Sequence, residues 1–419
     1  MDAFCDSSPV PDSKTPDSTE TDDVWAPLRL KKGEDRRLRA GHLWVFSNEI
    51  DTSYTPLSGL SPGQPVAVQD YRGQLLGIGY ANPRTLILAR LLNRGERQMP
   101  LDTLIRERLR EALVLRQRLF STRFFRLAFG ESDGLPGLVV DAYGDVLVAQ
   151  INTAGMEALI EVMLASLCEL LMPQGILLRN NTPMRELEGL PQYTRIAFGQ
   201  VPETVILTEH GVEFEVPLLN GQKTGWYYDQ RDNRAKMARY APGRRVLDVY
   251  SYLGGFGLAA AAAGAREVVC VDASPIAVEY LHKNAARNGL EHCVHAIRGD
   301  AIAVLRELKE GGERFDMVIL DPPTFIRRKK DLAPGLQAYR RINQLAMQVL
   351  TPDGILVTSS CSYHAERESF AQQVFAGARA QNRELQFLEL GFQSQDHPVH
   401  PAIPETAYLK TLVARVLAR

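Results

Sequence analysis

Four aspartates carry the first chemical information, because each stands where a run of branched apolar residues gives out: Asp248 in RVLDVYSYLGGFG, Asp272 after EVVCV, Asp300 in RGD and Asp321 in DPPTF. Between the first two lie Ser251, Gly254, Gly255 and Gly257, a turn whose glycines take dihedrals forbidden to side chains and bring backbone close to a ligand. A carboxylate on the neighbouring strand end, Asp272, can accept both hydroxyls of a ribose, and Asp300 can reach an adenine amino group. A dinucleotide would want G-x-G-x-x-G, with a pyrophosphate on the helix amides. Here the pattern is G-G-x-G with Asp248 upstream, a poor neighbour for two phosphates and a good one for a cationic amino-acid moiety. That favours S-adenosylmethionine over NAD; the alternative is a plain glycine turn of any strand-helix-strand unit. The following strand ends in Ser360-Cys361-Ser362, which puts one thiol at the mouth of the same sheet.

Just upstream lies LLNGQKTGWYYDQRDNRAKMARY, with a polar turn at Gln222, Lys223, Thr224 and Gly225, an aromatic patch at Trp226, Tyr227 and Tyr228, and Arg231 in a charged helix. It reads either as a pocket wall or as an interdomain packing joint. As a wall, Gln222, Thr224 and Gly225 would face a cofactor, while Lys223, Tyr227, Tyr228, Arg231 and Phe325 would face a base. A second basic and aromatic cluster, including Arg36, Arg37 and Trp44, is either a solvated face or a phosphate-contacting surface.

The elements that must position these groups follow from periodicity. Residues 1–25 are rich in Ser, Thr, Pro and Asp and predict a disordered tail. Residues 26–94 predict a small β-barrel, with strands PVAVQD, QLLGIGYAN and TLILARLL punctuated by glycine and asparagine turns. Residues 95–180 predict a central α+β domain with helices over 100–120 and 157–171. Residues 181–218 form a linker with the hairpin TVILTEH and VEFEVPL. Residues 219–419 predict a Rossmann-like α/β domain with a seven-stranded sheet whose last strand, YLKTLVARVL, pairs antiparallel. In it, Pro352-Asp353-Gly354 reads as a turn, and Ser274-Pro275 opens a helix. Open α/β sheets bind ligands beyond the carboxyl ends of their strands, the address that all four aspartates and Cys361 share.

The formal charge of -2 conceals an uneven distribution, since residues 1–25 hold seven acids against Lys14. Without them, 47 basic residues face 43 acidic ones, compatible with a local basic patch. The five cysteines form no CxxC pair, which argues against a disulfide framework or structural zinc and for a cytoplasmic home. His397 and His400 stand among prolines that prevent a metal-binding helix, so no metal is expected. No apolar run is long enough to span a membrane.

The segments GHLWVFSNEI, GESDGLPGLVVDAYGD, GQKTGWYYDQRDNR, DVYSYLGGFG, VDAS, GD at 299 and 300, DPPTF, SSCSYH, DHP and YLK together resemble the PUA-domain-containing class I RNA methyltransferases, in particular bacterial 23S ribosomal RNA cytosine-C5 methyltransferases of the large-subunit type. The resemblance spans residues 27–419. It implies a PUA barrel, a central α+β domain and a methyltransferase domain. It also implies that Asp248 to Gly257 hold the methionine part of S-adenosylmethionine, Asp272 the ribose and Asp300 the adenine, with Asp321 lining the base pocket and Cys361 attacking. Common RNA cytosine-C5 methyltransferases carry a second cysteine where this chain has Pro323.

These expectations converge on 5-methylcytosine formation in 23S ribosomal RNA through a cysteine–C6 adduct, with self-association as a homodimer left open. Two rivals remain: transfer to a base nitrogen, for which Asp-Pro-Pro-x-Phe alone suffices, and a non-catalytic RNA-binding or assembly protein on the same domains.

Overall fold

The computed structural model describes residues 25–95 and 99–418, so the expected tail lies outside the described residues apart from Trp25. Strands β1 (Ala26–Arg29), β2 (Trp44–Phe46), β3 (Gln64–Gln69), β4 (Leu75–Ala81) and β5 (Ile87–Arg94) form a sheet in the order β1-β3-β4-β5-β2, with the short helix α1 (Arg36–Arg39) between the first two. The bridge Leu30–Ile50 draws its two edges together and curls it into the expected barrel. Leu28, Val45, Val66, Val68, Leu88 and Leu91 fill the interior.

Helix α2 (Leu101–Leu119) leads into β6 (Phe124–Phe129), β7 (Leu138–Tyr143) and β8 (Val146–Ile151). Helices α3 (Ala154–Ala158) and α4 (Ile160–Leu171) then cross to β9 (Gly175–Asn180), which lies parallel to β8. After α5 (Pro183–Leu187), strand β10 (Tyr193–Gly199) pairs antiparallel with β9 and completes a five-stranded central sheet. Sequence patterning assigns this segment to the linker instead. Ile196 and Phe198 point outward on an edge strand, so it lacks the buried apolar face that marks a strand in sequence.

Strands β11 (Thr204–Glu209) and β12 (Val212–Pro217) form the expected hairpin, turned by His210 and Gly211, both at positive φ. Two successive positive φ values suit the right-handed twist of a two-residue turn. Its buried face, Leu207, Val212, Phe214 and Val216, belongs to one core cluster with Tyr143 and Val148 of the central sheet and with Val246 and Leu258 beyond it. The hairpin thus cements the central domain to the last one.

The last domain comprises α6 (Arg231–Ala238), β13 (Arg245–Val249), α7 (Gly255–Ala262), β14 (Glu267–Asp272), α8 (Pro275–Arg287), β15 (Val294–Arg298), α9 (Ala301–Glu310), β16 (Phe315–Leu320), α10 (Leu332–Val349), β17 (Leu350–Ser360), α11 (Arg367–Arg379), β18 (Arg383–Gly391) and β19 (Lys410–Ala418). Ser274 caps α8 through its hydroxyl, with Pro275 at the first helical position. The seven-stranded sheet runs β15-β14-β13-β16-β17-β19-β18, with β19 antiparallel between β17 and β18. Pro352 to Gly354 are a bulge inside β17 rather than a turn before it, with Asp353 at φ 65° where the register against β16 shifts. The chain winds outward from β13 to β15 and returns on the other side at β16. That reversal opens a crevice between the carboxyl ends of β13 and β16, where doubly wound sheets take their ligands.

Candidate active site

Asp248 sits next to the end of β13 and is fully buried. Its Oδ2 accepts the Gly257 amide at 2.8 Å, while Oδ1 is buried without a partner. Burial pushes this carboxyl up to about 7, with Asp321 and Asp272 adding to the rise. The chain then turns through Tyr250, Tyr252 and Gly254 at φ 68°, 50° and 89° before α7 begins. Ser251 in this turn is buried with its hydroxyl unpartnered. A β-carbon on Gly257 would lie 2.4 Å from Cys270 Sγ, and one on Gly255 would lie 3.2 Å from the Trp226 ring. These two glycines therefore let helix and turn close on their neighbours.

Asp272 at the end of β14 accepts the amides of Tyr252 at 2.9 Å and Ser274 at 2.8 Å. It shapes the glycine turn from the adjacent strand. Asp300 is exposed and caps α9, its Oδ1 accepting from Ile302 and Ala303 at 3.0 Å. The GQKTG segment packs on the glycine turn, because the Tyr252 hydroxyl accepts the Gln222 amide at 3.0 Å and donates to the Gly225 carbonyl at 3.0 Å. Tyr143 of the central sheet donates to the Thr224 carbonyl at 3.3 Å, and Thr224 is buried with its own hydroxyl unpartnered.

On the other wall, β16 stops at Pro322-Pro323, whose rings cannot continue the ladder. Asp321 is left half-buried, its Oδ1 accepting Gln230 Nε2 at 2.9 Å. Burial lifts it to about 7, and Asp229 raises it further while Arg234 and Lys223 pull the other way. Asp229 is buried and accepts the Tyr408 hydroxyl at 2.6 Å through Oδ2, with Oδ1 unpartnered. Burial works against its charge, yet His397, Lys223 and Tyr408 outweigh that and hold it below the ordinary carboxylate range.

Cys361 follows β17, the strand beside β16, and is half-buried. Three hydrogen bonds fix its loop. Ser362 Oγ donates to the Ile326 carbonyl at 2.7 Å, Ser360 Oγ to Tyr339 Oη at 2.9 Å, and Lys410 Nζ to the Ser362 carbonyl. Burial pushes the thiol up to about 11; Lys223 opposes the rise and Asp321 and Asp229 add to it. Lys223 takes φ 47° and holds its ammonium 4.6 Å from the Tyr227 ring centre. Tyr227 donates to Gln222 Oε1 at 2.8 Å and packs edge-on against Tyr252, and Phe325 packs against Tyr339.

Two residues expected to meet a base do not. Tyr228 is 0% exposed and donates to the Ala142 carbonyl at 2.8 Å, and Arg231 is 7% exposed, bonded to the Phe124 carbonyl and facing Glu209 and Asp396. Both belong to the packing joint between the domains. Trp44 is half-buried and spends its indole N–H on Glu131 at 2.9 Å, which ties the barrel to the central domain. Arg37 pairs with Glu49 at 2.6 Å and lies over Phe46, whereas Arg36 stays exposed. Gln230, Asp229 and Lys410 join the site without a sequence signal of their own, although they fall within the distinctive segments GQKTGWYYDQRDNR and YLK. His397 and His400 diverge, one lining a cavity beside α11 and the other a cavity under the barrel.

A seven-stranded doubly wound sheet with buried carboxyls at its switch point, a glycine turn, and orphaned polar atoms at Asp248, Ser251 and Thr224 defines a nucleoside-cofactor methyltransferase fold. Residues 194–415 match the family model of S-adenosylmethionine-dependent methyltransferases and residues 28–94 that of PUA-like domains. The chain is 40% identical to the ribosomal RNA large subunit methyltransferase I of Aeromonas salmonicida over 93% of its own length and 98% of that protein's. It is 37% identical to the Erwinia tasmaniensis protein of the same name, over 93% and 99%. A solved S-adenosylmethionine-dependent methyltransferase of Streptococcus mutans shares the fold at a TM-score of 0.79 and 20% identity, over 93% of this chain and 100% of that one. The chain belongs to the ribosomal RNA large subunit methyltransferase I family. S-adenosylmethionine is its cofactor, and the buried, unpartnered oxygens of Asp248 and Ser251 fit a cationic, hydrogen-bonding group.

Proposed function

We propose that this chain methylates C5 of a cytosine in large-subunit ribosomal RNA through a transient bond from Cys361. The observation that carries the reading is the pairing of β16 with β17, which brings Asp321 and Cys361 to adjacent strand ends, close enough for the Asp321 carboxyl to raise the thiol's titration. The relatives' names support ribosomal RNA as the substrate.

The residues would act as follows. Once deprotonated, Cys361 Sγ bonds to C6, the C5–C6 π pair shifts to C4–C5 and the C4–N3 π pair to N3, making C5 an enamine-like nucleophile. Asp321, lifted to about 7, is partly protonated at neutral pH and can donate to N3 as charge develops there. When bound, S-adenosylmethionine supplies an electrophilic methyl group on a cationic sulfur. Once C5 carries the methyl group, its proton leaves to solvent and the C–H pair re-forms the 5,6-double bond as the S–C6 bond breaks with its electrons returning to sulfur, while N3 returns its proton to Asp321. Asp248, Ser251 and Thr224 would hold the cofactor's methionine end, Gln222 and Gly225 the turn above it, Asp272 the ribose and Asp300 the adenine. Lys223, Tyr227 and Phe325 would border the base, and Arg36 would meet phosphate.

Incubation with methyl-labelled cofactor and ribosomal RNA, followed by nucleoside mass spectrometry, should yield 5-methylcytosine. The thiol's high titration point favours one rival, direct transfer to a base nitrogen held by Asp-Pro-Pro-x-Phe, and the same measurement would show an N-methylated base. A protein that only assembles RNA would leave no label.

The reading places the enzyme in the cytoplasm with its substrate; no helix among the described residues is long and apolar enough to cross a membrane. Strand β18, the edge of its sheet among the described residues, exposes Phe387, Leu388 and Leu390, which supports a homodimer formed through this edge. Light scattering that reports a monomer at micromolar concentration would refute it.

A further inference from the structure

Beside the thiol runs a groove of 840 Å³, within the range of about 300–1,000 Å³ typical of ligand sites. One wall is the segment that follows Cys361, from Tyr363 to Glu368; the other is the loop between β18 and β19, from Phe392 to Lys410. Both walls begin at the reaction centre, because Tyr363 stands two residues beyond Cys361 and Lys410 pairs across the sheet with Ser360.

Its chemistry is specific. Tyr363 and Phe392 are 37% and 47% exposed, and their rings are backed by polar or cationic neighbours: His364 lies 5.3 Å from Tyr363, and the Arg367 guanidinium lies 4.5 Å from the Phe392 ring centre. Lys329 forms part of the rim. It belongs to the run Arg327-Arg328-Lys329-Lys330, all four exposed, on the loop that leaves Asp321. Asp331 takes Arg328 at 3.1 Å, and Glu366 and Glu368 stand at the start of α11. Exposed aromatic side chains flanked by cations, on segments that adjoin the base-modifying centre in sequence and sheet pairing, suit a single-stranded polynucleotide whose bases stack while its phosphates meet the basic loop.

We infer that this groove holds the single-stranded RNA flanking the target nucleotide, with Tyr363 and Phe392 as stacking platforms and the 327–330 loop as the phosphate contact. The inference rests on the RNA-methylation reading above. It goes further by assigning a substrate path to a surface outside the catalytic residues.

The test uses the full chain, a short cytosine-containing single-stranded RNA and fluorescence anisotropy across a salt series, with cofactor affinity measured by calorimetry as the control for folding. The double variant Arg327→Glu/Lys330→Glu should weaken RNA binding about tenfold or more and flatten the slope of log affinity against log salt by about 0.7 for each phosphate no longer neutralised. Phe392→Ala should weaken RNA binding at least about fivefold with the salt slope unchanged. Cofactor affinity should stay at the wild-type value in all of them. Wild-type RNA affinity in the charge variant and in Phe392→Ala would overturn the groove and leave it to a protein partner, even if the wild-type chain methylates RNA. A wild-type chain that binds cofactor yet neither binds nor labels RNA would overturn the function reading itself, and the groove with it.

Discussion

The Gly257 amide donates to Asp248 Oδ2 at 2.8 Å, and the other oxygen of that carboxyl, Oδ1, is buried with no partner. One half of the group holds the start of α7 in place, and the other half is left unsatisfied inside the fold. Leaving a buried acceptor unpaired costs about 1–3 kcal/mol, a penalty that an incoming donor or cation would relieve.

Cofactor affinity should therefore depend on pH. Burial raises the Asp248 carboxyl from 3.8 to about 7, so below that point it is neutral and offers a cation no opposite charge. Above it the carboxylate is ionised, and the affinity for a cationic cofactor rises. Calorimetry should show tighter binding at about pH 8 than at about pH 6, with protons released at the lower pH, by up to about tenfold for each unit below the titration point. Asp248→Asn should bind weakly and lose most of this dependence. An affinity independent of pH in the wild-type chain would remove the carboxyl from the cofactor site.

The thiol calls for a different measurement. Burial lifts Cys361 to about 11, with Lys223 as the main opposing influence. Methyl transfer should then quicken as pH rises through and above neutrality, since only the thiolate attacks. Lys223→Met should lower kcat at about pH 7, roughly tenfold for each unit by which the thiol rises, and approach the wild-type rate at higher pH. Lys223→Arg should keep most of the activity. Cys361→Ala should abolish transfer while binding cofactor normally; full turnover in that variant would exclude the covalent route.

How much of this is legible in sequence depends on the range of the interaction. The strand-end address of Asp248, Asp272, Asp300 and Asp321 follows from local strand patterns plus one topological rule. The fate of Tyr228 and Arg231 does not. Their partners, Ala142 and Phe124, lie 86 and 107 residues earlier and belong to another domain's sheet. Only the docking of that sheet, through the hairpin's buried face, turns an aromatic and basic segment into a joint. Gln230 is hidden for a related reason, since a neutral amide gives no signal until its carboxyl partner, 91 residues away, is seen.

That joint makes its own prediction. Arg231 is bonded to a carbonyl of the central domain and faces Glu209 and Asp396 with little access to water. Removing one member of a buried charge cluster strands the others, at a cost of about 3–5 kcal/mol. Arg231→Ala should lower the denaturation midpoint markedly. In the folded fraction, RNA affinity should match wild type. A stable variant with weakened RNA binding would return Arg231 to the nucleic-acid surface.

The last prediction concerns the helix that follows the glycine turn. A β-carbon on Gly257 would meet Cys270 Sγ at 2.4 Å and Asp248 Oδ2 at 3.1 Å, and β14 leaves the sulfur nowhere to go because Cys270 is fully buried. Overpacking of this kind costs about 1–3 kcal/mol, so Gly257→Ala should be less stable in urea and should bind cofactor poorly as Asp248 is displaced. Cys270→Ala removes the obstructing atom. If packing is the cause, the double variant Gly257→Ala/Cys270→Ala should be more stable than the sum of the two single changes allows, by about 0.5 kcal/mol or more. Strict additivity in that cycle would mean that Gly257 is needed for its backbone alone, and the closeness of α7 to β14 would have no part in forming the site.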